Sequence, residues 1–394
     1  MDNQQWQVAK KVAATYIGTV VGAGFATGRE IVEFFTVNGL YGTIGICVSG
    51  FFFIWLGTKM MLLSSQIGAF SAQEFNKYLF GDVFGNVVNT LLLLVLFGVT
   101  SVMLSGAGAV FEEQLRLPRQ LGILITVIAC LIISSRGLQG VFEVNTLVVP
   151  IMMIFIIGLA ITTFFHGTPS INNTIPAESW NMKWITSPIT YVALNLSLAQ
   201  SVLVPLASEV KDRKAIFWGG ILGGAGLSLI LLCSHLAILS VDQFYQYNIP
   251  MAEVIRRFNA TFHFFFVLII FGEVFTTLVG NVFGMTKQMQ SITGWKNHNI
   301  IFFILLISYC FSYIGYSDLL HILYPIIGWV SIVILPIIAF KTTSKNIKKH
   351  PCYWMLFYVH SQSSHTSQYG PISNAKYGFN CNRIIRLGMR SKTN

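Results

Sequence analysis

Residues 18–30 read Gly18-Thr-Val-Val-Gly22-Ala-Gly24-Phe25-Ala-Thr27-Gly28-Arg29-Glu30, in the middle of the first long apolar segment. Apolar residues flank the stretch on both sides, which puts it at membrane depth, yet Gly22, Gly24, Gly28 and an Arg–Glu pair occupy its centre. A glycine weakens a helix by about 1 kcal/mol relative to alanine. Unwound backbone survives in a bilayer only where protein buries it or a polar cavity wets it. A plain anchoring helix does not fit this stretch; a helix broken near Gly22–Gly28 does, and broken helices are how many secondary transporters build a site at the membrane midplane.

The rest of the chain supports a membrane setting. Of its 394 residues, 54% are hydrophobic and only 10% charged, against roughly 25% charged in soluble domains. Ten apolar segments stand out, at 9–37, 40–66, 85–111, 119–135, 142–165, 186–209, 214–240, 260–287, 299–315 and 318–340. Each approaches or exceeds the roughly 17–25 residues that a spanning helix needs. Their continuous, non-alternating hydrophobicity excludes a transmembrane barrel. Lys10-Lys11 before an apolar run imitates a signal peptide, but nine further apolar segments follow, so residues 9–37 read as the first span.

The expected fold class is an all-α integral membrane protein of about ten transmembrane helices. Lys and Arg set the orientation: with the amino terminus inside, ten of them lie on the inner side of the spans and five on the outer side. Both termini are expected to be cytoplasmic, in the cell membrane. Parity then gives two five-helix halves of opposite topology, although the halves show no visible internal repeat. Span 6 carries the polar run Asn195-Leu-Ser197-Leu-Ala-Gln200-Ser201 ahead of Pro205, matching the interrupted span 1 in position. Two inverted five-helix repeats with broken helices 1 and 6 are therefore expected.

Residues 1–340 hold 16 Lys and Arg against 15 Asp and Glu, and nine of the ten net positive charges come from the nine basic residues that follow. That pattern describes a positively charged cytosolic flank and no nucleic-acid surface. Residues 1–340 are expected to form one transmembrane domain and residues 341–394 a basic, disordered tail. The stretch 166–185 reads as an external connector, 241–258 as a re-entrant or surface helix, and 71–81 as an interfacial segment.

A break in span 1 exposes two helix ends. Free N–H groups near Thr27–Arg29 suit a carboxylate or another anion, and carbonyls near Gly18 and Val21 suit a cation such as sodium. Gly22, Gly24, Phe25 and Thr27 are thus candidate substrate contacts, joined by Asn195, Ser197, Gln200 and Ser201 of span 6, whose amides and hydroxyls can recognise a zwitterion. Close packing of small residues and ordinary interhelical hydrogen bonds are the plainer readings of both groups. In span 8, Thr276 and Thr277 offer hard oxygen ligands, or simply bond back to their own helix. Glu273, among phenylalanines at depth, is a candidate proton carrier or helper of a cation site, or a buried acid hydrogen-bonded to a neighbour. Arg29 and Glu30 are candidates for gating, against a structural ion pair, possible with Glu33 at i+4, near the outer mouth. Glu209 belongs to an inner gate or is simply solvated.

Catalytic signatures are absent: there is no His-Glu-x-x-His, Walker loop or Gly-x-Ser-x-Gly. Six cysteines show no metal spacing or disulfide framework. No enzyme activity and no organic cofactor are expected, only Na+ or H+ as coupling ion. The partners expected are a small-molecule substrate and the lipid bilayer.

Val20-Val-Gly-Ala-Gly-Phe-Ala-Thr-Gly-Arg-Glu-Ile31 and Ser105-Gly-Ala-Gly-Ala-Val-Phe-Glu-Glu-Gln114 resemble the YkvI-like bacterial membrane proteins of the amino acid–polyamine–organocation superfamily, over about residues 8–340. The resemblance implies the LeuT-type inverted-repeat fold, a substrate between spans 1, 3, 6 and 8, and a sodium site between spans 1 and 8. It sets the carbonyls of Gly18 and Val21 opposite Thr276 and Thr277. Sodium-independent relatives have a basic residue in that place, and span 8 has none. A cation-coupled transporter of an amino acid or related small solute, working by alternating access, is the expectation; a non-transporting sensor on the same fold is the alternative. The 54 residues after Phe340 depart from the family pattern and are given no role.

Overall fold

A computed structural model of the chain describes residues 1–166, 183–210, 212–241, 243–246, 250–256, 260–313 and 336–341. The chain divides into two units, Met1–Thr343 and Ser344–Asn394, and the second lies outside the described residues, as do most of the external connector and the last apolar segment.

Helix α1 (Asn3–Val20) starts on a capping box: the Asp2 carboxylate accepts from Gln5 N–H at 2.7 Å and the Gln5 amide oxygen accepts from Asp2 N–H at 3.2 Å. Its last turn closes with Val21 N–H on the Ile17 carbonyl at 2.8 Å. The chain then leaves helical geometry and resumes as the single turn α2 (Ala23–Ala26). A second interruption follows at Gly28, whose φ of +82° a glycine adopts without steric cost, and α3 (Arg29–Phe34) leads away from it. The first apolar segment is thus broken twice, at both ends of the Gly22–Gly28 stretch.

Helices α4 (Leu40–Phe52) and α5 (Thr58–Ile67) are joined by a π turn at Phe53–Gly57. Tyr16 of α1 accounts for the distortion. Its hydroxyl donates to the Phe53 carbonyl at 2.8 Å, and its ring lies so close that a Cβ at Gly57 would sit 2.0 Å from the phenol oxygen. A side chain inserted into the helical ladder is a regular cause of such a bulge. Tyr16→Phe is expected to leave that carbonyl without its donor and to lower stability by about 1–3 kcal/mol, read as a drop in thermal unfolding temperature in detergent.

The interfacial stretch forms α6 (Ala72–Phe80), capped by Ser71 accepting from Glu74 N–H at 3.3 Å. The remaining helices are α7 (Asp82–Ala109, ending in a π turn at Val110–Gln114), α8 (Arg119–Ser134), α9 (Leu138–His166), α10 (Lys183–Val210), α11 (Arg213–Leu239), α12 (Pro250–Arg256), α13 (Ala260–Thr293) and α14 (Asn297–Phe311). Among the described residues, six helical stretches are long and apolar enough to cross a membrane. Of these α10 and α13 are innermost, with 83% and 72% of their apolar stretch buried against 33% for α9.

One expectation fails here. Span 6 is unbroken: α10 runs through 28 residues. The segment contains no glycine, and two of its polar side chains bond to their own helix, Asn195 Nδ2 on the Tyr191 carbonyl at 2.9 Å and Ser201 Oγ on the Leu198 carbonyl at 2.7 Å. Pro188 and Pro205 are accommodated without a break, as proline can be in a spanning helix whose neighbours satisfy the freed carbonyls.

Candidate functional site

The break in the first segment faces α13. Thr277 Oγ1 donates to the Val21 carbonyl at 3.0 Å, across 256 residues of sequence. A Cβ built at Gly22 would stand 3.6 Å from the same hydroxyl. Thr276 Oγ1 turns the other way and donates to the Glu273 carbonyl of its own helix at 3.0 Å. Gly18 packs on α9: a Cβ there would fall 1.8 Å from Asn145 Oδ1. Of the four residues expected to hold a cation, Val21 and Thr277 are therefore hydrogen-bonded, Thr276 adjoins Thr277 but bonds back, and Gly18 meets an amide oxygen from a third helix.

Glu273 shares a helical stripe with this contact. Residues 273, 277, 280 and 284 are spaced i, i+4, i+7 and i+11 and line one face of α13. Along it Thr277 meets Val21, a Cβ at Gly280 would lie 3.4 Å from Val202 and 3.9 Å from Thr19 Oγ1, and one at Gly284 would lie 2.6 Å from the Ser201 carbonyl oxygen. Glu273 is fully buried, and both of its carboxylate oxygens lack a hydrogen-bond partner.

On the α3 side of the break, the Glu30 carboxylate folds over Gly24, 2.2 Å from where a Cβ would be. Glu30 is half-buried. The Tyr191 ring sits in an aromatic cluster with Phe34, Phe35 and Phe53, at 5.2, 5.0 and 6.0 Å between centroids. Thr27 Oγ1 donates to the Gly24 carbonyl at 3.1 Å, and the Thr27 carbonyl accepts from Met251 N–H at 3.1 Å, which seats α12 on the turn. Phe25 is buried against α9, α12 and α13 around an apolar void of about 10 Å³. A void of that size has room for no more than about one water, so the break is closely packed in this conformation. Arg29 is exposed, with its guanidinium 3.5 Å from the Tyr245 carbonyl.

On α10 the four candidates divide. Asn195 and Ser201 are occupied by their own helix, whereas Ser197 Oγ and both amide atoms of Gln200 are buried without partners, as is the Tyr191 hydroxyl. Buried polar atoms are nearly always hydrogen-bonded in folded proteins, so an orphaned group in the interior marks a place where a ligand or water belongs. Tyr191 and Asn145 are functional candidates that sequence reasoning missed.

A set of polar contacts joins α5, α10 and α13 around Glu209. Lys287 Nζ of α13 pairs with Glu209 Oε1 of α10 at 2.6 Å, Ser64 Oγ of α5 donates to the Val204 carbonyl at 2.8 Å, and Ser208 Oγ of α10 donates to the Ala69 carbonyl at 2.5 Å. Asn89 of α7 adds a cluster, accepting from Asn76 Nδ2 at 2.8 Å through its amide oxygen and from Gln288 Nε2 at 3.2 Å through its carbonyl.

Comparison with known families gives one match that spans the break, α10 and α13 alike: the family described as "Spore germination protein" matches residues 9–318. The chain is a YkvI-like member of that family. It is 46% identical to the uncharacterized membrane protein YkvI of Bacillus subtilis (strain 168), over 86% of this chain and 97% of that protein. A second Bacillus subtilis protein, YyaD, is 23% identical over 84% of this chain and 96% of its own length. Among solved structures, MhsT in complex with L-phenylalanine superposes with a TM-score of 0.63 at 16% identity, covering 84% of this chain and 88% of MhsT. A Na+-coupled sialic acid symporter in a substrate-bound outward-open state gives 0.62 at 11% identity, covering 84% and 79%. At such identities the likeness shows the fold, and the spore germination protein family member described here has the LeuT-type fold.

Proposed function

We propose that the chain is a cation-coupled secondary transporter of an amino acid or a related small organic solute, working by alternating access in the cell membrane with both termini cytoplasmic. The observation that carries this reading is the interrupted first helix whose end carbonyl, Val21, meets the Thr277 hydroxyl at membrane depth. A helix that stops there presents unpaired carbonyls with a negative dipole end, and the helix that restarts presents N–H groups with a positive one. Such paired ends suit a cation and an anionic substrate group side by side. Val21 O, Thr277 Oγ1, Thr276 Oγ1 and the Gly18 carbonyl are the hard oxygens for a monovalent cation, Na+ in this reading. Gly22, Gly24 and Thr27, with Ser197 and Gln200, contact the substrate, and Phe25 closes its apolar side. Similarity to symporters of this fold and the family match support transport. In this reading ten spans form two inverted repeats, residues 341–394 lie outside the transport unit, and the Glu209–Lys287 pair is a contact that opening to the inside must break.

The test is uptake by proteoliposomes of a labelled amino acid mixture, under an imposed Na+ gradient, an imposed pH gradient, or neither. Accumulation that follows one gradient and collapses with an ionophore is the expected result. Ligand-induced thermal stabilisation without uptake under any gradient would mean a sensor.

A further inference from the structure

Glu273 is the least explained group in the interior. It is fully buried and neither carboxylate oxygen has a hydrogen-bond partner. It sits one turn from Thr277 on the α13 face that meets the broken helix. No Lys or Arg whose burial is described is buried, and the lysine nearest in sequence, Lys287, pairs with Glu209 instead. The residues flanking Glu273 on α13 pack on apolar groups: a Cβ at Gly272 would meet Val148 at 2.9 Å, and the Phe271 and Phe275 rings stack at 6.3 Å. A carboxylate in such surroundings is costly unless a positive charge answers it. No salt bridge to Glu273 occurs among the described residues, while the carbonyl end of α1, which Thr277 meets one turn along α13, is where positive charge is welcome.

We propose that the Glu273 carboxylate is the counter-charge for a monovalent cationic group bound at the break, either an inorganic cation such as Na+ or the primary ammonium of the substrate. The proposal rests on the transport reading and adds to it that the site carries a fixed negative charge from α13.

Two ligand titrations separate the sources. Purified full-length protein in detergent is titrated with NaCl against N-methyl-D-glucamine chloride at constant ionic strength, and separately with the twenty L-amino acids and their N-acetyl derivatives, which lack the ammonium. Unfolding temperature is the readout for wild type, Glu273→Gln and Glu273→Asp. At least a tenfold weakening in Glu273→Gln, smaller in Glu273→Asp, is expected in one titration. Loss in the Na+ titration assigns the inorganic cation. Loss for an amino acid whose N-acetyl form never bound assigns the ammonium. Glu273→Gln binding both probes as tightly as wild type overturns the inference and leaves the transport reading standing. A wild type that responds to neither probe overturns both. Should Glu273→Gln fail to fold, carbodiimide labelling of Glu273 in the wild type decides: protection by saturating NaCl or by a bound amino acid supports the proposal, and labelling indifferent to both overturns it.

Discussion

Gly18→Ala is expected to destabilise the protein by about 1–3 kcal/mol, the usual cost of forcing an extra methyl into a packed interior, and to lower its unfolding temperature accordingly. Gly22→Ala, four residues on, is expected to be nearly neutral. At Gly18 the new methyl would lie 1.8 Å from Asn145 Oδ1 and 3.0 Å from Val149 Cγ2. The Asn145 side chain has little freedom to yield, because its Nδ2 is pinned to the Val141 carbonyl at 2.8 Å. At Gly22 the methyl would meet Thr277 Oγ1 at 3.6 Å, an ordinary contact, and the backbone φ there is not positive. The cause at Gly18 is steric and local, so shortening the obstacle must relieve it. Asn145→Ala in the Gly18→Ala background is expected to restore part of the loss, with a coupling of about 0.5–3 kcal/mol in a double-mutant cycle, as for residues in direct contact. Equal costs at the two glycines, or additivity between residues 18 and 145, would contradict the close approach of α1 and α9.

The same pair shows how far the sequence could be read. A glycine cluster and an Arg–Glu pair inside an apolar run are local signals, and they located the break because glycine weakens a helix wherever it sits. The polar run of span 6 carried the same kind of signal but a different meaning. Asn195 and Ser201 bond back to their own helix, and without a glycine in residues 183–210 the backbone has no reason to unwind. Polarity alone marks a helix that faces the interior; it takes glycine as well to mark one that breaks. Asn145 and Tyr191 went unnoticed because nothing in the local sequence sets either apart from its polar neighbours, Glu143 and Thr146 or Thr190 and Asn195. Their importance depends on which helix lies opposite, a matter of packing across more than 100 residues of chain. Nor could spacing distinguish the two threonines, adjacent in sequence and alike in chemistry. Only the rotation of α13 against α1 turns Thr277 toward Val21 and leaves Thr276 on its own helix.

That rotation makes Thr277→Val the most damaging conservative substitution at the site, with Thr276→Val markedly milder. Valine keeps the size and branching of threonine and removes only the hydroxyl. At residue 277 the Val21 carbonyl then loses the Thr277 donor at the end of α1, and a buried acceptor left unsatisfied costs about 1–3 kcal/mol. If a cation displaces that hydrogen bond and takes both oxygens, the variant also loses a ligand. Its affinity for Na+ is then expected to fall by about one to two orders of magnitude, since each 1.4 kcal/mol is a factor of ten. At residue 276 the hydroxyl bonds the Glu273 carbonyl of its own helix, a bond that contributes little to how helices associate. Sodium titrations followed by unfolding temperature measure both effects at once: the sodium-free shift gives the structural term, and its change with NaCl gives the binding term. A Thr277→Val protein destabilised without salt but with wild-type sodium dependence would keep the helix-to-helix bond and remove the cation from the site. Equal losses in the two variants would mean that the hydroxyls exchange roles when the ion binds, with Thr276 released from the Glu273 carbonyl to join the shell.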